Sequence, residues 1–141
     1  MERFLGPYSP QLYAILRIVS GLMFAMHGTQ KLFAWPGDRT PVELASMMGV
    51  AGVVELVAGL MIAFGLLTGW AAFIASGQMA VAFFYAHVPQ GWNPLVNEGE
   101  KAVLYCFLFL YMAARGSGIW SIDAAMGRGT RTDTERQPRH T

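Results

Sequence analysis

The sequence predicts an all-α membrane protein, an antiparallel four-helix transmembrane bundle, on three observations. Hydrophobic residues make up 54% of the 141-residue chain and charged residues only 13%, roughly half the share usual in soluble domains. Four apolar stretches, roughly 11–34, 42–66, 70–88 and 97–115, approach the ~20 residues that cross ~30 Å of hydrocarbon. Trp35, Trp70, Trp92 and Trp120 each stand at a predicted helix end, where a ring that is apolar with one polar edge suits the membrane–water boundary.

Each element follows in order. Pro7 and Pro10 suit a start signal for helix 1. Trp35 to Pro41 is a breaker-rich turn before helix 2, and Thr68-Gly69 is a tight link to helix 3. Helix 3 ends near Pro89, Gln90 to Pro94 is a loop, and helix 4 stops before Gly116-Ser-Gly118. Residues 119–126 suit a short helix lying in the interface. The expected membrane domain is 1–126, and 127–141, with almost no apolar content, reads as a disordered basic cytoplasmic tail. Helix 1 does not read as a cleaved leader, because its apolar run is long, Arg17 interrupts it and no A-x-A pattern follows. One side carries Arg3, Arg115, Arg128, Arg131, Arg136 and Arg139, the other Lys31, Arg39 and Lys101. The excess of positive charge puts both termini in the cytoplasm, and the reading places the chain in a bacterial or archaeal plasma membrane.

Composition also excludes. A net charge of +1 gives no bulk attraction to nucleic acid, so the expected surroundings are the lipid bilayer. Cys106 is the single cysteine, which rules out an internal disulfide or dithiol pair. It reads as a small buried residue. No ligands stand at tight zinc spacing, so no metal site is expected, and His27 and His87 are weak grounds for haem. Patterns such as Gly21-x-x-x-Ala25 and Ala71-x-x-x-Ala75 suit internal packing or a homo-oligomer equally.

Function is sought where charge meets hydrocarbon. Arg17, Lys31, Glu55 and Glu100 lie inside the apolar stretches or at their edges, at a cost of at least ~2.5–3.5 kcal/mol each unless they face a partner. At ~100° per residue, Arg17, Gly21, Phe24, Gly28 and Lys31 share one face of helix 1, with His27 at its edge. Met48, Gly52, Glu55, Gly59 and Ile62 share one face of helix 2. Glu55 is the deepest carboxylate, between Arg17 and Lys31 in depth. Arg17–Glu55 is therefore a candidate structural ion pair, with Lys31 or His27 as other partners for Glu55. Glu55, Lys31, His27 and Glu100 form a candidate catalytic pocket, and His87, Asn97 and Glu98 a secondary one at the same outer end. Gln78, mid-span in helix 3 and 180° from His87, suits one interhelical hydrogen bond.

These residues resemble the DoxX/DoxD family of small four-helix membrane proteins. The resemblance runs over roughly 13–126. It is carried by Arg17-x-x-x-Gly21, His27-Gly28-x-x-Lys31-Leu32-Phe33, Gly52-x-x-Glu55-x-x-x-Gly59, Gly65-Leu66-Leu67-Thr68 and His87. Asn97-Glu98-Gly99-Glu100 is close to the family's Gly-Gly-Glu, and Gly116-x-Gly118-x-Trp120-Ser121-x-Asp123 matches its ending. Gly69 departs from the Arg the family often has after Thr, and Glu98 replaces a Gly. The resemblance implies a component of a quinone-linked redox or thiol/oxidative-stress system, with quinone as the candidate cofactor and a redox partner subunit, and an oxidoreductase subunit as the enzyme class. The buried charges equally suit a small proton or metabolite transporter, or a non-catalytic scaffold for a redox enzyme.

Overall fold

The computed structural model of the chain describes residues 1–128, all of whose regular structure is helical. A short α1 (Glu2–Leu5) and a 3-10 turn (Gly6–Tyr8) lead into α2 (Ser9–Phe33). Then come α3 (Met47–Phe64), α4 (Thr68–Ala82), α5 (Glu100–Arg115) and a one-turn α6 (Ile122–Ala125). Between α4 and α5 lie a π-helical turn, Phe83–His87, and a 3-10 turn, Val88–Gln90.

Among the described residues three stretches are long and apolar enough to cross a membrane: Glu2–Phe33, Met47–Phe64 and Thr68–Gln90. The fourth expected span is shorter. α5 has 16 residues, about 24 Å against a ~30 Å core. It begins at Glu100 because Asn97 Oδ1 accepts from the Gly99 amide at 2.8 Å and holds the chain in a turn. The second helix likewise begins at Met47 rather than near Val42. Ser46 is its N-cap, accepting from the Gly49 amide at 3.0 Å.

The order of contacts sets the topology. Gly21 lies against Gly59 and Ala63, and Gly28 against Gly52 and Leu56, so α2 and α3 run antiparallel. Ser76 Oγ donates to the Cys106 carbonyl at 2.8 Å and Gly69 sits beside Ala113, so α4 and α5 do too. Cys106 is thereby a packing residue against Ser76, its thiol 3.6 Å from that hydroxyl. The expected small-residue patterns serve internal packing: Gly21, Ala25, Ala71 and Ala75 are all buried.

Volume is arranged inside out. Ala14, Ala58, Ala63, Ala72 and Ala75 are buried, while Ile15, Val19, Val53, Val57, Phe73 and Phe107 face outward. Lipid supplies no hydrophobic drive for helix association, so close backbone approach of small residues has to supply contact instead. A Cβ on Gly21 would lie 2.5 Å from the Ala63 nitrogen and 2.7 Å from the Gly59 carbonyl oxygen. We therefore expect Gly21→Ala to lower the midpoint of thermal unfolding in detergent by an amount equivalent to about 1–3 kcal/mol. Gly77→Ala should not, because nothing lies within 4 Å of the added methyl. Between the two hairpins, α2 meets α5 through rings. Tyr13 faces Tyr111 at 6.2 Å, Phe24 meets Phe109 at 4.8 Å, and His27 meets Tyr105 at 6.3 Å between centroids.

The short helix expected over 119–126 does form, as Ile122–Ala125, but it is docked into the end of the molecule. The Asp123 amide donates to the Gly65 carbonyl at 3.0 Å, and Asp123 is buried. The tail expected to be disordered lies, from residue 129 on, outside the described residues.

Candidate functional site

The deep polar centre is built by two glycine notches. Gly28 lets α2 and α3 approach, its missing Cβ 2.5 Å from the Leu56 nitrogen. Gly52 is crossed by the Lys31 stem, with Lys31 Cβ 3.1 Å from where a Gly52 Cβ would stand. Lys31 thereby reaches across to Glu55, one turn further along α3, and forms an ion pair and hydrogen bond with its Oε1. Gln78, from α4, donates to the same Oε1 at 3.0 Å and to the Ala51 carbonyl at 3.3 Å. Glu55 is 2% exposed. Its second oxygen, Oε2, and Gln78 Oε1 are buried with no hydrogen-bond partner. Three helices thus converge on one carboxylate, two donors occupy one oxygen, and two acceptor oxygens stay open. A polar acceptor shut away from water calls for a donor.

The expected Arg17–Glu55 ion pair does not form. Arg17 is fully buried at the opposite end. Its Nη1 donates to the carbonyls of Ile62 and Ala63 at 2.7 Å each, and its Nη2 to Trp120 at 2.7 Å and Ile119 at 3.4 Å. Carbonyls of a last helical turn have no partners within their own helix, and a cation there is also favoured by the helix dipole. The guanidinium fork gives a donor to two of them, Ile62 sharing its carbonyl with the Gly65 amide at 3.2 Å, and ties the loop after α5 to the end of α3. Depth placed Glu55 between Arg17 and Lys31; these carbonyls hold Arg17 and leave Lys31 for Glu55.

The other expected site residues make no hydrogen bond to this centre among the described residues. His27 stands edge-on to Tyr105 and has no hydrogen bond among the described residues. Glu100 is exposed at the first residue of α5 and forms no ion pair with Lys31. His87 Nδ1 lies 2.9 Å from the Asn97 carbonyl, and Asn97 is buried, its amide donating to the Gly91 carbonyl at 2.6 Å. Glu98 is exposed with φ +59°, a left-handed backbone that glycine adopts most readily. That conformation accounts for the Gly in the resembled Gly-Gly-Glu pattern on backbone grounds. Gln78 makes the expected interhelical hydrogen bond and faces α3, whereas His87 faces Asn97; what the sequence left open was its acceptor, the Glu55 carboxylate. The mid-span polarity of Gln78 was the available signal. Among the described residues no group of three or more His, Cys, Asp or Glu side chains is placed to hold a metal ion.

At the Arg17 end, Ser117 donates to Asp123 Oδ2. Burial alone would push this carboxyl up. The Ser117 hydrogen bond, the nearby Leu67 and Thr68 amides and the Arg128 charge together outweigh it and hold the group below its ordinary 3.8. Oδ1 itself lacks a well-aligned donor, so the amides act as oriented dipoles beside it. The folded state then binds the Asp123 proton more weakly than the unfolded chain does. Its contribution is whole above the unfolded value, ~3.9, and fades as pH falls through the lower folded value. Asp123→Asn should therefore destabilise the protein at pH 7 and bring the mutant and wild-type curves together in strong acid, read as thermal midpoints across pH.

The helices and the buried charge centre define an integral membrane protein with a polar site inside its packed core. The chain belongs to the DoxX family, whose profile matches residues 12–88. It is 42% identical over 125 residues to a protein of uncharacterised function from Haemophilus influenzae, covering 84% of this chain and 93% of that one. No solved structure matches it.

Proposed function

We propose that the chain is a four-span antiparallel bundle with both termini in the cytoplasm, and that its Lys31–Glu55–Gln78 centre binds a quinone and handles the protons that accompany its reduction. The observation that carries this reading is the Glu55 carboxylate, held through Oε1 by two donors while Oε2 and Gln78 Oε1 are buried and open. Lys31 has three N–H donors, and Glu55 Oε1 takes one. The others suit a carbonyl oxygen. Glu55 Oε2 and Gln78 Oε1 suit the hydroxyl of the reduced form, and a carboxylate at that distance can take up or supply a proton. Electrons come from a partner subunit or a soluble reductant. The orientation is supported by Arg3, Arg115 and Arg128 lying at the termini end.

The test compares wild type with Glu55→Gln after gentle detergent purification, quantifying extracted quinone per protein by mass spectrometry. Near-stoichiometric quinone in wild type, largely lost in the variant, is expected. Equal trace amounts in both would overturn the reading. Proton or solute flux in liposomes without any partner would then favour a transporter at the same centre.

A further inference from the structure

A cleft of about 500 Å³ opens at the Arg17 end of the molecule, between the α1–α2 segment and the last turns of α5. Leu5, Leu12 and Leu16 form its apolar side, and Tyr13, Tyr111 and Arg115 face them. It lies at the same end as Trp70 and Trp120, both exposed at helix ends, and hence at a membrane–water boundary. Leu12 and Leu16 continue outward into the lipid-facing row of Ile15 and Val19.

One polar group of the cleft is fixed and the charged ones are nearly unused. Tyr13 is buried, and its hydroxyl donates to the Gly116 carbonyl at 2.6 Å. The Arg115 guanidinium rests on that immobilised ring, 4.5 Å from its centroid. Of five N–H donors on a guanidinium, Arg115 directs one at the Tyr111 hydroxyl, at a long 3.5 Å. Glu2 lines the same cleft, yet the two charges do not pair: Lys31–Glu55 is the one ion pair among the described residues. Arg115 and Glu2 line the cleft unpaired, with the Met1 ammonium beside Glu2, and an apolar wall leads into the lipid; together they complement a headgroup that carries both charges.

We propose that this cleft binds one zwitterionic aminophospholipid, its phosphate on Arg115, its primary ammonium on Glu2 and its chains along Leu12 and Leu16. A glycerol headgroup would bring Glu2 no ammonium of its own. A quaternary ammonium would offer it no N–H donor.

Native mass spectrometry from mild detergent tests this, with phosphatidylethanolamine, phosphatidylglycerol and phosphatidylcholine added separately at equal excess. Wild type should retain one phosphatidylethanolamine per monomer, about tenfold above the other two, as one charge-assisted hydrogen bond can supply. Glu2→Gln should erase that preference while keeping phosphate-bearing lipid. Arg115→Gln should lose all three. Leu16→Trp, which keeps both charges and fills the cleft, should also release the lipid, whereas Arg3→Gln should change nothing. The proposal is overturned if Glu2→Gln keeps the preference, if Leu16→Trp retains lipid, or if Arg3→Gln matches Arg115→Gln, the mark of diffuse charge. Displacement by inorganic phosphate alone would overturn it too, by showing an anion site indifferent to the lipid.

Discussion

Arg17→Met should cost the protein its folded state more completely than any other single change. Methionine fills much of the volume but donates nothing. Three carbonyls bonded at 2.7 Å and one at 3.4 Å, from α3 and the loop after α5, would lose this donor, and of these Ile62 alone keeps a backbone one, the Gly65 amide at 3.2 Å. A buried acceptor left unsatisfied costs about 1–3 kcal/mol. Several at once approach the whole stability of a small domain, ~5–15 kcal/mol. The measurement is the yield of monodisperse protein by size-exclusion chromatography, followed by thermal unfolding of whatever survives. Arg17→Lys should recover only part of the loss. An ammonium is a point donor and cannot span carbonyls on two elements as the planar fork does. A lysine variant as stable as wild type would show that the charge, rather than the fork, matters here.

Lys31 and Glu55 predict a cycle in which two wrongs nearly cancel. Lys31→Met leaves the Glu55 carboxylate, 2% exposed, with only the Gln78 amide. Breaking one side of a buried pair costs about 3–5 kcal/mol, whereas exchanging both sides for apolar groups of similar size is often neutral or better. Lys31→Met and Glu55→Leu should each lower the unfolding midpoint steeply, and the double variant should return most of it. In the same proteins quinone retention should not return, because the double variant has neither the donor nor the acceptor. Stability and ligand binding thus separate. If the double variant is as unstable as the two singles added together, the pair is not the source of their cost.

How much of this was legible in the sequence varies by residue type. Helices were read closely because an apolar run of membrane length is a strong signal and Pro and Gly punctuate it. Gly21, Gly28, Gly52 and Gly59 were placed on the packed face by their spacing, and each borders a neighbouring helix. Glu55 was picked out by its depth and by the glycine face it shares. Its partner was not, since Arg17 and Lys31 were both long enough to reach it. What decided between them was the demand of helix-end carbonyls, a backbone need that no side-chain pattern displays. Gln78 was legible as one interhelical hydrogen bond, but mid-span polarity does not name the acceptor, which is Glu55. Glu100 was assigned to the pocket by its level across the membrane, which fixes height and leaves direction free.

The Arg17 clasp also has an order in time. Its carbonyl partners on the last loop, Ile119 and Trp120, stand 102 and 103 residues downstream. During synthesis α2 and α3 can pair as soon as both emerge, yet the guanidinium then has only Ile62 and Ala63 to bind. A chain halted after α5 therefore leaves half of the guanidinium without its carbonyl partners, and the clasp closes only when the final loop reaches the first long helix.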